Sequence, residues 1–297
     1  MGVRETVFGS KEEKKYYTKL QRTWGNKLNI YHNIPFLNVF TAKDELINEN
    51  YNNFKISEEE YDQLKKTSID FVICDKKDKP IACIEFDGLQ QGFNVATNYI
   101  ASGEQKERKG RKIFLELKLR VAHGSLFPYF ILGSEQFKGL SDSVYLTIAD
   151  ALIGEVLSTQ TCKKNTSSGF NPSDCGYSDE EFENFSEEHK REIIENWFVN
   201  IELEADYQHN PIFQKVAELT RETKSSGYSI LFLNEDDRDS EIWTWVECEV
   251  ENVKYGNASA KVYLPNFKTP ACYFIVHIAI EIAQLLALEK IKKKMNC

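Results

Sequence analysis

A chain of 297 residues with 41% hydrophobic and 12% aromatic side chains has the apolar material for about two packed domains, at roughly 150 residues each. Its seven cysteines are odd in number and scattered, with no CxxC pair. That argues against a disulfide scaffold or a zinc cluster and suits a reducing compartment. The formal net charge is −9, but residues 176–206 hold eleven acids against two bases and so carry the whole excess, while residues 1–130 carry +3. An acidic pI near 5.3 therefore does not exclude a nucleic-acid partner, because phosphates respond to local basic patches.

At the N-terminus Arg4, Glu5, Lys11, Glu12 and Glu13 arrive without an apolar run, so no signal peptide is expected and the predicted setting is cytoplasmic. A helix is predicted around Glu13-Lys-Lys-Tyr16-Tyr17-Thr-Lys-Leu20. A strand follows over Leu28-Asn-Ile-Tyr-His-Asn-Ile-Pro-Phe-Leu37.

Next, Ile69, Phe71 and Ile73 alternate with Asp70, Val72 and Cys74, and a charged turn from Asp75 to Pro80 leads into Ile81, Cys83 and Glu85-Phe-Asp87. This is the punctuation of a hairpin. Period-two alternation puts Glu85 and Asp87 on one face. Three converging carboxylates make a hard-oxygen site suited to Mg²⁺ or Mn²⁺, with Asp70, Glu85 and Asp87 as the metal ligands. The plain alternative is a solvated hairpin whose acids keep it soluble; their place inside the apolar runs counts against it.

Residues 106–120 carry seven bases and two acids, with Ile113, Phe114, Leu117 and Val121 near helical spacing. Lys106, Arg108, Lys109, Arg111 and Lys112 are candidate phosphate contacts. Lys109 or Lys112 is the candidate to orient the attacking water or neutralise the phosphate. A solvated helix face is the competing explanation. Phe127-Pro-Tyr-Phe-Ile-Leu132 then reads as a buried strand ending at Gly133.

In this order, an Asp, a turn, Glu-x-Asp and a preceding Glu-x-x-aromatic-aromatic-x-x-Leu helix resemble the PD-(D/E)XK nuclease superfamily, in particular its very-short-patch-repair-like branch. The resemblance covers residues ~10–133. It implies a restriction-endonuclease-like α/β core, a mixed sheet flanked by helices, with catalytic Asp70, Glu85 and Asp87. It also implies Glu13 reaching a second metal or holding the basic helix. Asp87 stands where the superfamily has its lysine, and Gln90 and Gln91 stand where the branch often has a histidine, so the cation must come from elsewhere, with the 106–120 run as its source.

Beyond Gly133, Val144, Ile148, Ala151, Leu152 and Val156 predict a helix capped by Ser141 or Asp142. Residues 160–178 are turn-formers and read as an exposed loop. An acidic helix from Asp179 to about Leu203 is expected next, with Phe182, Phe185, Ile193, Ile194 and Trp197 on its apolar side. From Asn210 the order helix, strand, strand, strand, long helix resembles a degenerate double-stranded-RNA-binding domain at ~208–297. That family's lysine cluster would fall on Val276, His277 and Ile280, and an apolar helix start cannot grip phosphate. A module that binds a protein or pairs with itself is the expectation, and a generic α+β domain the alternative. The run from Pro270 to Leu288 contains His277, Glu281 and Gln284, which argues for a buried helix and against a membrane span. The five histidines show no ligand spacing, and phosphate-loop and Gly-x-Ser-x-Gly patterns are absent.

The expected organisation is a nuclease-like domain over 1–140, a helical acidic connector over 141–206, and a C-terminal α+β (α-β-β-β-α) domain over 207–297. The expected function is Mg²⁺-dependent phosphodiester hydrolysis, on DNA in preference to RNA. The alternative is a catalytically inactive nuclease-like scaffold that binds nucleic acid or a protein.

Overall fold

The computed structural model describes residues 8–40, 56–87, 105–133, 142–232, 243–265 and 273–297. Helix α1 (Lys11–Trp24) starts at a capping box in which Ser10 and Glu13 satisfy each other's backbone N–H groups. Its buried edge is Tyr16, Leu20 and Trp24, at i, i+4 and i+8. Strand β1 (Asn29–Pro35), helix α2 (Glu58–Leu64), strands β2 (Ser68–Cys74) and β3 (Pro80–Asp87), helix α3 (Gln105–Gly124) and strand β4 (Tyr129–Gly133) follow.

The four strands lie in the order β1-β2-β3-β4. The first two pairings are antiparallel, and β3 pairs with β4 in parallel through the α3 crossover. The expected hairpin is present: the Asp75 carboxylate accepts from the N–H groups of Lys77 and Lys79, and Asp78 takes φ 63°. The architecture is mixed α/β, a mixed sheet with helices, as the sequence predicted.

Helix α4 (Asp142–Asn165) ties this sheet to the rest of the chain. Its Asp150, 2% exposed, accepts from the Trp24 indole N–H at 2.9 Å and pairs with Lys19 at 3.3 Å. Then come α5 (Asp179–Glu183), α6 (Glu187–His209), α7 (Pro211–Thr223), strands β5 (Gly227–Phe232), β6 (Trp243–Glu251) and β7 (Ala258–Pro265), and α8 (Tyr273–Met295). The strands form an antiparallel sheet, β5-β6-β7. On β6, Val246, Cys248 and Val250 are buried while the alternating Glu247, Glu249 and Glu251 occupy the other face, so the outer face is acidic. One apolar cluster takes in Ile73, Ile84 and Phe130 of the first sheet, Ile148 and Leu152 of α4, and Val246, Ile282 and Leu288 of the C-terminal unit.

Two expectations change. Residues 160–165 belong to α4 and not to a loop, because Cys162 and Thr161 pack on α6, at the Ile201 carbonyl and His209. The single acidic helix is two helices, broken at Asn184 and restarted where Ser186 caps α6. Among the described residues no helix is long and apolar enough to cross a membrane.

Asn210, fully buried, is the N-cap of α7: its Oδ1 accepts from the N–H groups of Ile212 and Phe213, and its Nδ2 donates to Glu155 and Glu281. Burial is the main cause that lifts Glu155 to about 9 and Glu281 to about 8, so both hold protons at neutral pH. Asn210→Ala removes the cap and orphans two buried acids. It should lower the unfolding free energy by about 2–4 kcal/mol in urea titrations. A loss below about 0.5 kcal/mol would mean that the network is replaceable by water.

Candidate metal and phosphate site

The β2–β3 register pairs Phe71 with Ile84, and one further step sets Asp70 across from Glu85. Both side chains share the face of Val72 and Cys83, which packs on Leu115, Leu119, Val121 and Ala122 of α3 and on Tyr129. The two carboxylates are thus held between the sheet and the crossover helix. Asp70 is half-buried and accepts from the Phe86 N–H at 2.8 Å, while Glu85 is 6% exposed.

Glu85 is held by two donors on the same oxygen. The ammonium of Lys118 meets Oε1 at 2.5 Å and the hydroxyl of Tyr129 donates to it at 2.5 Å. Lys118 also donates to the Ser68 carbonyl at 2.6 Å. Neither donor uses Oε2. Burial, then the Glu85 charge, pushes the Tyr129 phenol well above its ordinary value, so it stays a donor. Asp70 is pushed up to about 8, first by burial and then by Glu85, with Glu13 adding to it and the Phe86 N–H and Lys118 opposing. The thiol of Cys83, on the same face as Glu85, is raised well above its ordinary value, first by burial and then by the Glu85 charge.

These residues fit a hard divalent cation. The donor set is carboxylate oxygen, and Asp70 has a neighbouring carboxylate and a single backbone N–H to hold its charge. Among the described residues no group of three or more acidic, histidine or cysteine side chains is placed to hold a metal ion. Two carboxylates suit Mg²⁺, which keeps several waters and takes one or two protein carboxylates.

Among the described side chains the lysine that meets Glu85 is Lys118. It lies within the basic run, in which the sequence points to Lys109 or Lys112. The side chains of Asp87, Lys106, Arg108, Lys109, Arg111 and Lys112 lie outside the described ones. Along the axis Lys112 and Lys109 start about 9 and 14 Å from Lys118. Ile113 and Phe114, expected on the apolar face, are 47% and 37% exposed, whereas Lys118 is 6% exposed. The missed signal was a lysine flanked by Leu117, Leu119 and Val121. Tyr129 was hidden in the same way, as one polar tip within an apolar strand. Among the described residues the Glu13 carboxylate accepts from the Gly9 and Ser10 N–H groups and contacts His32 Nε2 at 2.6 Å.

A family model described as "Protein of unknown function (DUF2726)" matches residues 4–117. The match takes in Glu13, Asp70 and Glu85 and stops one residue short of Lys118. No curated protein and no solved structure matches. The family description carries no activity, so the functional reading stands on the geometry.

Asp70 holds a proton below about 8 that a cation must displace. Metal affinity should therefore climb about tenfold per pH unit from about pH 6 and level off near 8, as calorimetry with Mg²⁺ or Mn²⁺ would show. An affinity independent of pH over that range would place the ion away from Asp70.

Proposed function

We propose that the chain is a Mg²⁺- or Mn²⁺-dependent phosphodiesterase acting on nucleic acid, most plainly a DNA endonuclease, with a restriction-endonuclease-like core. The observation that carries this is the buried Lys118–Glu85 contact opposite Asp70. It restores an acid–acid–lysine set although Asp87 stands where the superfamily has lysine. Asp70 and Glu85 would hold the ion. When bound, it supplies Lewis acidity and lowers the pKa of a water. Lys118 fixes Glu85 and keeps a positive charge beside the carboxylates, where a phosphate's charge would otherwise be repelled. Tyr129 locks the same oxygen, and the short hairpin keeps Asp70 in register.

In the C-terminal module, the helix–three strands–helix order of α7 to α8 supports the resemblance to a degenerate double-stranded-RNA-binding domain. Its features favour a protein partner over duplex RNA. The outer sheet face is acidic. Lys290, Lys292 and Lys294 are engaged by the Ser259 carbonyl, Glu222, and the Tyr255 and Asn257 carbonyls. Six described cysteines, including buried Cys74 and Cys83, are free thiols, which supports a reducing, cytoplasmic setting.

The competing reading, an inactive scaffold, draws on the absence of a third acid among the described side chains at the site. Cleavage of supercoiled, linear and single-stranded DNA and of duplex RNA with Mg²⁺ or Mn²⁺ separates the two. Glu85→Ala and Lys118→Met should each reduce the rate by roughly 100- to 1,000-fold while circular dichroism confirms folding. No cutting by wild type, with nucleic-acid binding unchanged in Glu85→Ala, would establish the scaffold.

A further inference from the structure

Helix α6 carries two parallel rows that the nuclease reading does not use. Phe198, Glu202 and Asp206 recur at i, i+4 and i+8, and Val199, Leu203 and Tyr207 repeat that spacing one residue on, so the rows run side by side along the helix. The first row forms one wall of a half-open trough of about 250 Å³ between α6 and α4, with Glu155 of α4 on the opposite wall. The second row stands in solvent: Val199 is 49%, Leu203 47% and Tyr207 58% exposed, and Phe198 at the trough's lip is 45% exposed. Ile193, Trp197 and Ala205 anchor the other side of α6 in the protein. A contiguous apolar row exposed on a helix marks a contact surface more often than an accident of composition.

We infer that this face docks a basic amphipathic helix of a protein partner, whose apolar side lies on Val199, Leu203 and Tyr207 and whose lysine or arginine enters the trough beside Glu202 and Asp206. Charge complementarity selects that occupant. The row is bordered by Glu192, Glu195, Glu202, Glu204 and Asp206, and residues 176–206 hold eleven acids against two bases. A second copy meeting the same face would set acid against acid, and nucleic acid would be repelled outright. The trough is smaller than the roughly 300–1,000 Å³ of a small-molecule site, which suits one inserted side chain better than a cofactor. Of the trough's own basic groups, Lys163 begins two turns along α4 from Glu155, while His277 of α8 lies near Asp206. A helix laid in the groove between α4 and α6 gains apolar contact along its length and one desolvated ion pair at its centre, the usual anatomy of helix-in-groove recognition.

The test uses the full chain and a fluorescein-labelled lysine/leucine peptide patterned as an amphipathic helix. The same composition scrambled and a glutamate/leucine version serve as the comparison peptides. Fluorescence anisotropy should show binding of the patterned peptide at least tenfold tighter than of either comparison peptide. Val199→Ser/Leu203→Ser and Glu202→Gln/Asp206→Asn should each weaken it about tenfold, with circular dichroism unchanged. Equal binding of the scrambled peptide, or no loss in either double variant, would overturn the proposal, as would absence of binding. Sedimentation velocity supplies a further check: a concentration-dependent dimer abolished by Val199→Ser/Leu203→Ser would assign the face to self-association instead.

Discussion

The contact between Lys118 and Glu85 is the constraint around which the N-terminal half is arranged. A carboxylate and an ammonium, each about 6% exposed, lose most of their hydration, and such a pair persists only where further hydrogen bonds complete it. Here the completion comes from three elements. Ser68 at the start of β2 accepts from Lys118, and Tyr129 at the start of β4 donates to Glu85. Lys118 itself arrives from the crossover helix. The parallel β3–β4 pairing and the α3 crossover are therefore also what brings a lysine to the acids. Arg120 on the same helix pairs with Glu60 of α2 and clamps the outer side. Removing either member of the pair leaves an uncompensated buried charge, typically a loss of about 3–5 kcal/mol.

The same principle, buried acids held by polar partners, recurs twice with different outcomes. Asp150 joins α4 to α1 through Trp24, Thr23 and Lys19. Glu155 and Glu281 have no lysine and share one amide, so they keep their protons at neutral pH. At Asp150 and Glu85 a lysine ammonium lies against the carboxylate, whereas at Glu155 and Glu281 the partner is the Asn210 amide. This separates the Glu85–Lys118 pair from the structural network under α7.

The sheet elements were legible because period-two alternation survives in one sequence: Ile69, Phe71 and Ile73 against Asp70 and Val72 marked both the strand and the face of its acid. The turn was legible from Asp75 to Pro80. The helix order of the C-terminal unit followed from Asn210-Pro211 and the spacing of apolar runs. What was not legible depended on tertiary packing. The run 113–121 has an apolar row in sequence, but the sheet covers the side holding Leu115, Lys118 and Ala122 and leaves Ile113 and Phe114 exposed. No local pattern distinguishes a lysine that will be buried by a carboxylate from one that will be solvated. Gln160 to Asn165 looked like a loop for a related reason: its Thr, Cys and Asn residues have weak helix preference, which packing of Thr161 and Cys162 on α6 overrides.

The account rests on a cation between Asp70 and Glu85, and the most direct measurement is anomalous diffraction from crystals of the protein soaked with Mn²⁺. It predicts a peak at coordination distance, roughly 2.0–2.3 Å, from an oxygen of each carboxylate, with Lys118 still on Glu85 Oε1. A peak elsewhere, or none at this site under saturating Mn²⁺, would contradict it.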